Sequence, residues 1–280
     1  MIRVLILILL TAGCVKTPQL LGPEALLSAG QARQIPFAMR GKFSAKLTAR
    51  GEAMPSLPGA MIVHRPDRFR IVLNAPIGGP VLTLVSNGTG AAMHLHRNKM
   101  TILEPDAQVA LADLMGEGTG LASLTNVFLA GLPLPQAVPI RTETDEFGTQ
   151  FVYAGPVGSE LKVRLHPGGE LAKMESWGSS GELLFSIAHE SLVQIAGKGM
   201  PKVTVVEIPS QEVQLRLKFS DWSELAKIPK AFGLDVPPGM EVMDVKAALE
   251  FMGIKEDPEE DPEEDPEEDS DPEVEESGLP

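Results

Sequence analysis

Cysteine is almost missing from this sequence: Cys14 is the single one among 280 residues. No intramolecular disulfide can form, so the fold must be held by its core. Aromatic residues make up only 5% of the chain, and tyrosine occurs once. The apolar run Val4–Leu10 falls well short of the ~20 residues that a membrane-spanning helix needs. The G-x-S-x-G elbow, the P-loop, G-x-G-x-x-G and H-E-x-x-H are all absent, which removes the local signatures of common hydrolase, nucleotide-binding and zinc-protease sites. Lys and Arg are absent from 256–280, where 15 of the 38 acidic residues fall. The remainder carries 23 acidic against 24 basic residues and is nearly neutral. Neither a footprint for nucleic acid nor a polybasic membrane patch is visible in such a body.

What the chain has in quantity is apolar residues, at 43%, enough for a sizeable core. From Phe37 onward they alternate with polar ones. Phe43, Ala45, Leu47 and Ala49 are separated by Ser44, Lys46 and Thr48; Phe69, Ile71 and Leu73 alternate with Arg68, Arg70 and Asn74. Leu161, Val163 and Leu165 alternate with Lys162 and Arg164, and Val213, Leu215, Leu217 and Phe219 with Gln214, Arg216 and Lys218. This period of two predicts half-buried antiparallel strands with one wet face. Turn-forming stretches separate them: SNGTG at 86–90, HPGGE at 166–170 and AGKGMP at 196–201.

Helical spacing interrupts the strands at 107–135. Leu111, Leu114 and Met115 share a face of one expected helix; Leu121, Leu124, Phe128 and Leu132 share a face of a second, stopped by Gly131 and Pro133. A shorter helix is expected from Pro23 to Gln34, with proline in its favoured first position. Strands with helices inserted among them give an α+β architecture, the helices covering the sheet's dry face. At the far end DPEE repeats three times over 257–268; proline and like-charge repulsion predict a solvated acidic tail there.

Candidate reactive groups are few. His94 and His96 fall on one face of a strand, but a metal needs further ligands, so an outward-facing polar pair is expected. Gly178-Ser179-Ser180-Gly181 reads as a turn, and Asn87-Gly88 as a hairpin turn. Neither catalysis, a metal nor a cofactor is expected. The apolar face would look the same in a packed core as in a cavity wall.

The N-terminus, MIRVLILILLTAGC, pairs Arg3 with a short apolar run and small residues before Cys14. LTAGC resembles the lipobox of bacterial lipoproteins, which implies a signal at 1–13 and a lipid-modified Cys14. Val15 and Lys16 follow, with no aspartate to resemble an inner-membrane retention signal, so the outer membrane is the expected location. A tether with its short helix would occupy 14–36, the main domain 37–255 and the acidic tail 256–280.

Four stretches, GKFSAKL, RPDRFRIVLNAPIGGPVLTL, FLAGLPLP and GMPKVTVVEIPSQEVQLRLKFSDW, follow one another in an order that resembles LolB, the outer-membrane lipoprotein receptor. The resemblance covers about 37–223. It implies an incomplete antiparallel β-barrel around helices, with an apolar cavity for lipoprotein acyl chains or another lipid. Cavity-lining candidates are then Phe43, Leu47, Phe69, Ile71, Leu73, Leu82, Leu84, Leu121, Leu124, Phe128, Leu161, Val163, Leu215 and Leu217. It also implies a protruding membrane-insertion loop at Ile77 and Gly78, periplasmic-face attachment to the outer membrane, and a periplasmic LolA-like chaperone as donor. An envelope scaffold with a filled core, acting through its anchor and tail, is the alternative. Beyond Trp222 the stretch LAKIPKAFGLDVPPGMEVMDV departs from LolB and resembles the wider LolA-type carriers.

Overall fold

The computed structural model describes residues 21–33, 38–107, 120–134, 136–155, 158–227, 231–244 and 247. The expected signal, Cys14, the helix bearing Leu111, Leu114 and Met115, and the acidic tail lie outside them.

The alternating stretches form strands β1 (Ala38–Ala49), β2 (Glu52–Ala53), β3 (Leu57–His64), β4 (Arg68–Asn74), β5 (Pro80–Asn87), β6 (Ala91–Leu95) and β7 (Met100–Glu104). After helix α2 (Leu121–Phe128) come β8 (Arg141–Asp145), β9 (Gly148–Ala154), β10 (Glu160–Leu165), β11 (Leu171–Trp177), β12 (Leu183–Ile195), β13 (Lys198–Ile208) and β14 (Val213–Glu224). Helix α1 (Pro23–Ala32) precedes them, and β15 (Glu241–Met243) follows. All strands join one sheet in the order β15-β7-β6-β5-β4-β3-β1-β14-β13-β12-β11-β10-β9-β8, with β2 paired to β1. Among the described residues only the β15–β7 pair is parallel. The path ends at β15 and β8, so the sheet stays open.

Tight turns explain why neighbours in sequence are neighbours in the sheet. Arg50-Gly51 and Ala196-Gly197 are two-residue loops with both φ angles positive, the mirror-image turn whose twist matches a hairpin. Asn87 closes its turn through its own side chain, Oδ1 accepting from the N–H groups of Thr89 and Gly90 at 3.0 and 2.9 Å.

Two apolar clusters fill the inner face. One gathers Phe43, Phe69, Leu121, Leu217, Phe219 and Trp222 between β1, β3, β4, β14 and α2. Phe69 meets Phe128 edge-on at 5.4 Å, and Phe219 stacks on Trp222 at 4.6 Å, arrangements that add about 0.5–1.5 kcal/mol each beyond area burial. The other cluster joins Leu26 of α1 to Phe151, Tyr153, Leu161, Val163, Leu171 and Met174 of β9–β11. Arg33, just past α1, ties the inner layer together by donating to the carbonyls of Leu129 (3.1 Å), Ala130 and Gly199.

Three expectations are corrected. α1 ends at Ala32 rather than Gln34. α2 ends at Phe128, because Ala130 adopts φ +53° and the Gly131 N–H turns back to the Asn126 carbonyl at 2.7 Å; Leu132 is buried beyond the helix. The outer face is also not uniformly wet. Residues 231–244 run across the outer face of β3–β7, where Phe232 packs on His64 (ring centroids 6.0 Å), Arg70 donates to the Ala231 carbonyl at 3.3 Å and Thr101 donates to the Met240 sulfur at 3.3 Å. Beneath this strap Thr83, Val85, Ala92, His94 and Thr101 are buried.

Candidate functional site

The β4–β5 hairpin ends in the tip Ala75–Gly79, closed by the Ala75 N–H donating to the Gly79 carbonyl at 3.1 Å. Proline at 76 and 80 lacks an amide donor, and Gly78 supplies φ +116° with open space around it. Ile77 stands on this tip 94% exposed, far outside the buried core. An isoleucine so placed exposes nearly its whole apolar area, which burial would stabilise by about 1.5–3 kcal/mol.

The inner face opens toward the same end of the sheet. Along β1 burial falls from Phe43 and Ala45 to half-buried Leu47; along β4 from Phe69 to Ile71 and Leu73; along β14 from Phe219 and Leu217 to Leu215. Leu82 and Leu84 of β5 are half-buried beside them, as are Leu124 and Phe128 on α2. Leu121 is buried in this cluster, whereas Leu161 and Val163 are buried in the other. The cavity-lining candidates thus divide between a sealed interior and a half-covered apolar surface that runs toward Ile77.

Strand registers place further exposed apolar residues at this end. Met54 sits in the β2–β3 connection, Leu184 at the start of β12, and Val138 and Ile140 just before β8, whose Arg141 pairs with Val152 near the end of β9. Val138 and Ile140 are 84% and 58% exposed. Arg50, Arg97 and Lys99 lie in turns at the same end, exposed and without an ion pair among the described residues. Phe147 marks the opposite end, with the Arg164 guanidinium 5.7 Å over its ring.

A cavity of about 530 Å³ opens beside Val138 and Ile140. Ala122, Ser123 and Asn126 of α2, Pro133, Leu134, Gln136 and Ala137 of the following segment, and Tyr153 and Ala154 of β9 complete its wall. Tyr153 is 2% exposed, and its hydroxyl is sealed off with no hydrogen-bond partner among the described residues. Burial pushes its pKa up to about 12, so the phenol stays protonated.

Nothing in the remaining candidates assembles into reactive chemistry. His94 and His96 lie 6.2 Å apart, each bound to a threonine: His94 Nδ1 to Thr101 and His96 Nε2 to Thr83, both at 3.0 Å. Against expectation His94 is buried, because the strap covers the outer face there. Among the described residues no group of three or more His, Cys, Asp or Glu could hold a metal, and no helix is long and apolar enough to cross a membrane. Gly178–Gly181 is a turn between β11 and β12, closed by Gly178 N–H donating to the Glu182 carbonyl at 2.9 Å.

Sequence reading missed Val138, Ile140 and Tyr153. One signal for the first pair existed: Pro139-Ile140 repeats the Pro76-Ile77 dipeptide outside any alternating stretch. Tyr153 carries no such mark, since its strand reads like any buried one.

The chain matches no protein-family model and no curated protein. Its fold is similar to solved structures. A LolA superfamily protein from Nitrosomonas europaea superposes with a TM-score of 0.50 at 15% identity, over 76% of this chain and 98% of that one. A domain described as an outer membrane lipoprotein-sorting protein, from Vibrio parahaemolyticus, gives 0.53 at 12% identity, over 74% and 93%. A DUF1329 family protein from Desulfovibrio piger gives 0.52 at 10%, over 75% and 95%. The chain therefore has a LolA-like fold.

Proposed function

We propose that this protein is a lipid-anchored carrier on the periplasmic face of the outer membrane. It accepts the acyl chains of lipoproteins on its half-covered apolar inner face and releases them into the bilayer. The observation that carries this reading is the 94% exposure of Ile77 at the end where the inner face opens. Lipid cargo leaving that end would pass from one apolar surface to another. Exposure on the way would cost about 0.8 kcal/mol per methylene, so contact between mouth and membrane is what makes transfer feasible. Arg50, Arg97 and Lys99 at the same end favour an anionic lipid surface. Likeness of fold to a LolA superfamily protein supports a carrier. The cargo would come from a LolA-like periplasmic chaperone, and Cys14 would hold the protein at the membrane. No bond is made or broken in this cycle, and no cofactor is needed.

Replacement of Ile77 by glutamate tests the proposal. The exposed tip contributes little to the core, so stability should stay within about 0.5 kcal/mol of wild type. Loading with a lipoprotein should be unchanged, while delivery to liposomes should fail, because a carboxylate resists entry into the apolar layer. Delivery at the wild-type rate would overturn the insertion role.

A further inference from the structure

The outer face of the sheet carries its charge unevenly. On β8–β12 the cations are matched: Arg141, Lys162, Arg164 and Lys173 each form an ion pair with a neighbouring carboxylate. On β1 and β14, at the centre of the sheet, most are not. Alternation turns Phe43 and Ala45 into the core, so Arg40, Lys42 and Lys46 project from the other face, all exposed. The register sets exposed Lys218 opposite Ser44 and Arg216 opposite Lys46 on that same face. Glu190 pairs with Arg216 at 2.5 Å. Arg40, Lys42, Lys46 and Lys218 make no ion pair among the described residues. Like charges directly opposite one another destabilise a strand pair, yet Lys46 faces Arg216. Such a strip attracts an acidic partner.

The chain itself supplies one. Residues 256–280 hold 15 acidic residues and no Lys or Arg, while the rest of the chain is nearly neutral. This stretch follows β15, and six strand spacings separate β15 from β1, about 29 Å along the sheet. The 33 residues after Ala247 reach up to about 110 Å when extended, so the distance is covered several times over. Attachment to the same chain also raises the local concentration of the tail to about the millimolar range.

We propose that the acidic tail folds back along the outer face of β1 and β14 and is held there by Arg40, Lys42, Lys46 and Lys218. The spacing suits it. Lys42 and Lys46 are four residues apart on one strand, about 13 Å, and a four-residue repeat in the extended proline-rich form advances about 12 Å. Glu259-Glu260-Asp261 and Glu263-Glu264-Asp265, one DPEE repeat apart, thus meet successive cations. The contact is ionic and hydrated, so salt screens it and it adds little to stability.

The test is zero-length carbodiimide cross-linking of the full-length chain at low salt, mapped by mass spectrometry. Joins between lysines and the carboxylates of 256–280 should concentrate on Lys42, Lys46 and Lys218, within single chains, and should survive dilution. At 0.5 M sodium chloride, where charges act over only about 4 Å, their yield should fall about fivefold or more. Arg40→Gln combined with Lys46→Gln removes two charges and leaves Lys42 and Lys218 as reporters. Joins at those two should fall about fivefold, with the melting temperature unchanged because both replaced residues are exposed. Joins spread over Lys99, Lys162 and Lys173 as readily as over the strip would overturn the proposal. So would joins formed only between chains, or a yield at Lys42 and Lys218 that ignores either salt or the paired substitution.

Discussion

The two halves of the sheet are closed from different sides. In β3–β7 much of the outer face is covered, with residues 231–244 lying over it and His64, Val85, Ala92 and His94 buried there. In β8–β14 the outer face is wet and carries ion pairs such as Arg141–Glu160, Arg164–Asp145 and Arg216–Glu190. There the closure is internal, from α1, Arg33 and the end of α2. An open sheet can thus leave one half of its inner face partly bare at one end, because that half gains burial on its back. The half that opens toward Ile77 is the strapped one.

Cutting the strap's anchor tests this most severely. Phe232→Ala removes the ring that packs on His64 and should cost about 3 kcal/mol, read as a lower denaturation midpoint. A loss no larger than that of a surface substitution would show that the outer face of β3–β7 does not depend on the strap.

Acid should strain both halves, each through histidines on its covered side. His189 in β12 is buried against α2: its Nε2–H donates to the Val127 carbonyl at 3.0 Å and its Nδ1 accepts from Thr204 at 2.9 Å. Burial is the largest cause that lowers its pKa to about 4. The unfolded chain takes up this proton near pH 6.5 and the folded chain does not. Stability is therefore full above pH 6.5 and declines as pH falls toward about 4, by a loss on the order of 3 kcal/mol from this group. His64 and His94 are shifted down in the strapped half, again mainly by burial, and act in the same direction. Stability measured against pH should slope downward over that window, and His189→Gln should flatten the slope; an unchanged slope would exclude His189 as its source.

The smallest effect belongs to the wet outer face. Arg216 and Glu190 form an exposed pair at 2.5 Å, and solvent screens such pairs heavily. Arg216→Ala should leave the denaturation midpoint where it was. A measurable drop would mean that this face, too, is covered.

How much of this could be read in advance follows from which interactions are local. Strands β1, β4, β10 and β14 were legible because Phe43-Ala45-Leu47 and their counterparts keep strict alternation, and because Asn87-Gly88 and Ala196-Gly197 announce their turns. Ile77 was legible because Pro76 and Gly78 mark a tip. The dry outer face was not. Thr83, His94, Thr101 and Arg70 look like solvent-facing residues in their own strands, and what covers them comes from far along the chain, as with Thr101 and Met240. The 530 Å³ cavity was equally silent, since α2, an irregular segment and β9 each give it a few residues with no shared period.

An open sheet has two unpaired margins, and here each has its own guard against polymerisation through added strands. β8 spells Arg-Thr-Glu-Thr-Asp, with Arg141 and Asp145 engaged in ion pairs to Glu160 and Arg164. A second copy laid against it would have to desolvate those charges. β15 offers only Glu241, Val242 and Met243, a ladder too short to hold a partner strand. Among the described residues both margins of the open sheet are therefore poor templates for an added strand, so the inner face can stay open at one end without inviting copies of the chain to stack edge to edge.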